Sequence, residues 1–477
     1  MSSAVRFLGE YFHPGVWHRH MALLLRLLLP LYIFGLLPIF ASSSDGRCCE
    51  KRFGCGPDAV CMDPANKTWC TNSLEHCVFR CNHKWCPSGP PGPGNNTGEL
   101  QLTLLENTHC LDGSPAGYYY RAATTSPNLF VIFLQGGGAC DDETKCKQRS
   151  HSALGTSTKW LKTNNGQKSP FLQTSEVINP DFYGAHHVYV AYCSGDAHKG
   201  TQTSATSTTY GFWFSGSVNF KSIVEDLKAK RGLGDATHVL LTGTSAGAEG
   251  TFHQVDRLQS YLAPGVVVKA APVSGWFMPA ETGDFDGKGP LPTKKSFAPP
   301  ANYSAFKSGV VPEPSNASFQ AMAKHEIQLK GDGYVLPACA ADHPDDIFVC
   351  LTADTFYHYV KAPVFVIENR FDKYALEQEE GFPDDHSGPE PQAYLRYYGR
   401  ATVVSVSQVG KGSHAGDGLF LASCLSHTGN YMANTKATIN GTTFVAPVGD
   451  WFFERNKMSH LLMDDCGDLP CNPTCDH

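Results

Sequence analysis

Five short runs, at 129–134, 187–191, 238–242, 364–367 and 402–406, are dominated by apolar, β-branched and aromatic residues and flanked by turn-forming segments. Strands with one wet face alternate apolar and polar positions, so runs this continuous predict strands buried on both faces. Residues 222–230 and 248–263 carry apolar positions at helical spacing and predict helices. Strand and helix patterns in alternation predict an α/β fold: a mostly parallel sheet with helices on both faces. In such sheets reactive groups gather at the carboxyl ends of the strands. The chain carries no internal repeat.

The pattern changes before residue 99. Eight cysteines, at 48, 49, 55, 61, 70, 77, 81 and 86, fall in a stretch with very few aliphatic residues. So short a segment cannot bury an adequate core, which predicts a separate module at 45–86 stapled by about four disulfides. A zinc site built from His76, Cys77, Cys81, His83 and Cys86 is the alternative; an oxidising compartment favours disulfides. Trp69 and Trp85 either offer a sugar-stacking face or cover the cystines. Residues 87–98, rich in Pro and Gly, read as a linker, so the large α/β domain would occupy 99–477.

Within the leader, 1–44, residues 21–41 form an apolar stretch preceded by Arg6 and Arg19 and followed by Ser42, Ser43 and Ser44. It reads as a cleaved signal peptide or as a retained single-pass anchor, and either places everything after Ser44 on the lumenal or extracellular side. Eighteen cysteines and five glycosylation sequons, at Asn66, Asn95, Asn302, Asn316 and Asn440, point the same way. A net charge of −7 without a basic stripe excludes nucleic acid as the main partner.

Candidate chemistry begins at Gly243-Thr244-Ser245-Ala246-Gly247, directly after the run 238–242. A serine on a tight strand-to-helix turn holds its hydroxyl exposed, and the flanking glycines remove side chains that would clash. A serine hydroxyl needs a base and a group that orients the base. Asp372 follows the run 364–367 and is the candidate acid. His414 and His427 both supply a base in the chain order Ser, Asp, His, and position alone favours His414, which closely follows the run 402–406. Gln135-Gly136-Gly137-Gly138-Ala139-Cys140 follows the run 129–134; its backbone N–H groups, with that of Ala246, suit a developing oxyanion.

Taken together, these residues resemble the pectin acetylesterase family, whose animal branch is the Notum carboxylesterases. The likeness is carried in order by CLDGSPAGY at 110–118, LQGGGAC at 134–140, YCSG at 192–195, GTSAG at 243–247, FD at 371–372, GLFLASCLSH at 418–427, GDWFF at 449–453 and PCNPTC at 470–475. The resemblance implies an α/β-hydrolase-like fold and an ester hydrolase that needs no cofactor or metal. It further implies Ser245 as nucleophile, Asp372 as acid, His427 as base, and Gly137, Gly138 and Ala246 as oxyanion donors. Cys140 and Cys146 resemble a disulfide bracketing the Gly loop. The implied partner is an acetylated polysaccharide; a lipid-modified protein, or glycan binding without catalysis, are the alternatives. Departures from the family pattern fall at Gln135 and Ala139, and at Gly138, where Notum carries a Trp.

Overall fold

A computed structural model describes residues 46–49, 84–87, 98–278, 317–379, 382, 386–432, 435–455 and 460–475. The chain divides into two units, Met1–Asn96 and Thr97–His477. Within the first, β1 (Gly46–Cys49) pairs antiparallel with β2 (Lys84–Pro87). The apolar segment 21–41, the proposed zinc alternative and the pairing of the first eight cysteines lie outside the described residues. Among the described residues no helix is long and apolar enough to cross a membrane.

In the second unit one sheet of ten strands forms the frame. Its strands are β3 (Leu100–Leu104), β4 (Gly117–Arg121), β5 (Leu129–Leu134), β6 (Thr163–Asn164), β7 (His186–Val190), β8 (His238–Thr244), β9 (Val267–Val273), β10 (Phe365–Asp372), β11 (Gly418–Ser426) and β12 (Leu461–Met463). They lie in the order β12-β11-β10-β9-β8-β5-β7-β4-β3-β6. From β12 to β7 all pairs are parallel, and β4, β3 and β6 continue the sheet antiparallel.

The continuous apolar runs are explained by cover on both faces. In β5, Phe130, Ile132 and Leu134 pack into one core with helices α2 (Gly216–Lys230) and α3 (Ala246–Tyr261), through Phe220, Ile223, Phe252 and Val255. Here α1 is the earlier helix Glu143–Ser150. Leu129, Val131 and Phe133 enter a second core on the opposite face with Phe171, Phe182, Val448 and Phe452. Each face buries every other residue, so each run had to be apolar throughout. Helices α4 (Ala317–Lys330), α5 (Pro389–Ser405) and α6 (Val445–Phe452) complete the layers.

One expected strand is a helix. Residues 402–405 close α5, with Val406 opening the 3-10 turn that follows; in α5 Tyr394, Leu395, Tyr398 and Ala401 recur at helical spacing and pack in one cluster. The Thr402 hydroxyl donates to Tyr398 O at 3.0 Å, so the β-branched run is accommodated inside the helix. A five-residue window was too short to reveal that period. The strand it displaced is β11, fully threaded through both cores.

Of the five sequons, Asn440 is described. It is exposed on a turn between Ile439 and Thr442, with φ of 52° at Asn440 and 76° at Gly441.

Candidate active site

The chain leaves β5 toward β7 on one side and β8 toward β9 on the other, so the carboxyl ends of β5 and β8 flank a crevice. The Gly loop follows β5 and Ser245 follows β8. Ser245 has φ 56° and ψ −128°, a backbone state that L-residues rarely adopt. The turn is held by Ser245 N donating to Val273 O at 3.0 Å and by the first turn of α3, where Ala248 N donates to Ser245 O at 2.7 Å. A Cβ on Gly243 would come 2.4 Å from Gly247 O, and one on Gly247 would come 2.1 Å from Leu134 O. Both flanking positions therefore exclude any side chain, and Ser245 sits at the positive end of a sixteen-residue helix.

The acid and the histidine are brought together by register. In the parallel pair β10 and β11, Asp372 lies opposite Ser426, one residue before His427, after a register shift between Asn369 and Phe371. The Asp372 carboxylate accepts from His427 Nδ1 at 2.7 Å through Oδ2 and from Ala375 N at 3.0 Å through Oδ1. The His427 carbonyl is fixed in turn by Ser274 Oγ at 2.7 Å and Asn369 Nδ2 at 2.5 Å. Its ring stacks on Tyr374, with centroids 5.2 Å apart. A carboxylate on Nδ1 selects the tautomer that leaves Nε2 as an acceptor, and Nε2 is buried without a partner among the described residues.

Neighbouring Glu368 is wholly buried. Burial, with the Asp372 charge adding to it, pushes its carboxyl well above the usual carboxylate range. Burial thus disfavours a second negative charge beside the Asp372 carboxylate.

His414 is nowhere near this arrangement. It precedes β11, whereas His427 follows it, and nine residues of strand separate the two ends by about 30 Å. Its ring stacks on Tyr357 at 4.2 Å and its Nδ1 meets Asp417 Oδ2 at 3.2 Å in a buried cluster.

Ser245, His427, Gly136, Gly137 and Gly138 line one cavity of about 430 Å³ together with Phe133, Leu154, Tyr374 and Met432. Gly137 and Gly138 have φ of 141° and 65°, so the loop's shape itself requires glycine. Their N–H groups, among the described residues, donate to nothing. Cys140 is bonded to Cys146 on α1, and Arg149 of the same helix donates to Gly137 O at 2.6 Å and Gly138 O at 2.9 Å. Sequence reasoning missed Arg149, whose only signal was its place three residues beyond Cys146. It also missed Lys168, an exposed residue that lines the cavity. Among the described residues no group of three or more His, Cys, Asp or Glu is placed to hold a metal ion.

The model of the family described as Pectinacetylesterase matches residues 95–298 and 311–476. The chain belongs to the pectinacetylesterase family. It is 26% identical to pectin acetylesterase 11 of Arabidopsis thaliana over 396 residues, covering 79% of this chain and 91% of that protein. It is 28% identical to the palmitoleoyl-protein carboxylesterase notum1a of Danio rerio over 401 residues, covering 79% and 72% respectively. The solved structure of the Wnt deacylase Notum from Drosophila superposes with a TM-score of 0.65 at 23% identity, covering 80% of this chain and all of that one, which shows the shared fold. Both groups of relatives are carboxylesterases, and this member of the family is a carboxylic ester hydrolase.

Proposed function

We propose that this protein is an extracellular serine carboxylesterase that removes acetyl groups from pectin or a related polysaccharide. Ser245 Oγ attacks the acetyl carbonyl carbon as its proton passes to His427 Nε2, and Asp372 stabilises the imidazolium. The carbonyl oxygen takes the negative charge among the N–H groups of Gly137, Gly138 and Ala246. The intermediate then collapses: His427 returns the proton to the departing sugar oxygen, leaving acetyl-Ser245. Water next gives a proton to His427, attacks the acyl carbon and releases acetate, and the serine recovers its proton.

The observation that carries this reading is that Ser245 and His427 line one cavity, with Asp372 bonded behind the imidazole. Lys168 supports the substrate class. It is exposed at the same cavity and, among the described residues, has no ion-pair partner, so it places a cation where a galacturonan presents carboxylates. An oxidising location is supported by the disulfides Cys110–Cys193, Cys140–Cys146, Cys339–Cys350, Cys424–Cys475 and Cys466–Cys471.

A second reading, deacylation of a lipid-modified protein, is favoured by one feature: the cavity, lined by Phe133, Leu154 and Met432, holds far more than an acetyl group. Acetate release from acetylated pectin by the purified protein and by its S245A variant tests the first reading, with p-nitrophenyl esters from C2 to C16 run in parallel. Serine-dependent acetate release with a preference for C2 supports it. Serine-dependent activity confined to long-chain esters would replace it with the second reading.

A further inference from the structure

The Gly loop is tied at both ends but nearly free between them. At its start, Tyr192 N donates to Gln135 Oε1 at 3.0 Å and His198 Nε2 bonds to Gln135 O at 2.8 Å. At its end, Cys140 N donates to Gly195 O at 3.1 Å and the sulfur is bonded to Cys146. For the two central peptides, the hydrogen bonds among the described residues are those from Arg149 to Gly137 O and Gly138 O.

We infer that Arg149 is a positioning residue that aims the oxyanion donors of this loop at the ester carbonyl. In a trans peptide the C=O and the following N–H point in opposite directions, and all peptides here are trans. A guanidinium that holds the carbonyls of Gly137 and Gly138 therefore turns the N–H groups of Gly138 and Ala139 away from itself. Gly137 and Gly138 line the cavity whereas Arg149 and Ala139 do not, so of the two N–H groups it is that of Gly138 that faces the side where the ester binds. Donors of an oxyanion site act only if they are fixed before the charge develops. Two glycines in left-handed states would otherwise leave this segment its widest conformational freedom.

The guanidinium is itself pre-set. It lies 5.1 Å from the centre of the Tyr192 ring, which is wholly buried, and its helix is stapled to the loop by Cys140–Cys146. Its positive charge also polarises both peptides it binds, which strengthens their N–H groups as donors. Lysine can match the charge but not the planar fork.

The inference rests on the proposed serine mechanism, and the test separates the two. Hydrolysis of p-nitrophenyl acetate is measured for the full-length protein, S245A, R149Q and R149K, with active sites counted by a fluorophosphonate. The inhibition constant of an alkyl trifluoromethyl ketone, which forms a tetrahedral oxyanion on the serine, is measured alongside. Expected for R149Q are a kcat lower by roughly 10- to 100-fold, a KM within about threefold, and a trifluoromethyl ketone constant weakened by about the same factor as kcat. R149K is expected to fall between. A purely structural role would lower the count of active sites and the melting temperature while leaving kcat per active site unchanged, and that result overturns the inference. If R149Q does not fold, R149K decides: at least about a threefold lower kcat per site supports the inference, and an unchanged kcat overturns it. Hydrolysis that survives in S245A overturns the serine mechanism and this inference with it. Loss in S245A with a normal rate in R149Q overturns the inference alone.

Discussion

At Gly136 the Gly loop and the turn that carries Ser245 lie in close contact. A Cβ there would stand 2.3 Å from the carbonyl oxygen of Thr244 and 3.0 Å from Ser245 Cβ. The first of these is a backbone atom at the end of β8, so no rotamer change relieves it. Restoring an ordinary contact of 3.4 Å moves the two segments apart by about 1 Å. A displacement of that size between nucleophile and oxyanion donors costs about 100-fold in rate, or about 2.7 kcal/mol of transition-state stabilisation. Overpacking costs stability as well, by about 1–3 kcal/mol.

Gly136→Ala is accordingly expected to lower kcat/KM for p-nitrophenyl acetate by about two orders of magnitude. Gly234→Ala is the control, because a Cβ at Gly234 meets nothing closer than 4.0 Å. Rates are referred to fluorophosphonate-titrated sites, so that loss of folded protein is not counted as loss of catalysis. A Gly136→Ala enzyme with the rate per site and melting temperature of the Gly234→Ala control would refute the reasoning. It would mean that the two segments are not held in contact as described.

Asp372→Asn offers an amide donor to His427 Nδ1 and so favours the tautomer that protonates Nε2; a kcat loss of about 10⁴ at neutral pH is expected, as in serine-protease triads, and a variant keeping a tenth of wild-type activity would contradict the assigned geometry. Lys168→Glu should raise KM for acetylated pectin by roughly tenfold in low salt and leave p-nitrophenyl acetate untouched, the difference shrinking as salt is added; equal effects on both substrates would remove Lys168 from carboxylate recognition. Burial, with Arg121 adding to it, pushes His187 from its ordinary value of 6.5 down to about 3. From pH 6.5 down to about 3 the unfolded chain binds the extra proton, so stability falls with falling pH by up to about 1.4 kcal/mol per unit. His187→Gln should therefore lose about 2 kcal/mol less than wild type between pH 6.5 and 5 in urea titrations, and parallel curves would rule this out.

Much of the site was legible in the sequence because it depends on backbone geometry that only particular residues allow. The glycines around Ser245 and at 136–138 are local requirements, and four of the five continuous apolar runs are strands covered on both faces. Those features pointed to the α/β class and put Ser245 and the Gly loop at the carboxyl ends of neighbouring strands, where β8 and β5 end. The run 402–406 was misread because its helical period lies in Tyr394, Leu395, Tyr398 and Ala401, outside the window that looked like a strand.

Position in the chain favoured His414, yet the histidine that the structure brings to Asp372 is His427. His414 and His427 are thirteen positions apart in sequence, and the family resemblance, not spacing, pointed to the second. Tertiary structure separates them because they lie at opposite ends of β11, and the parallel register of β10 and β11 sets Asp372 beside one end only. Arg149 and Lys168 were invisible for the same reason. A side chain that meets a loop or a cavity through space leaves no period and no spacing in the chain; its partner is chosen by how the sheet, helices and disulfides bring distant segments together.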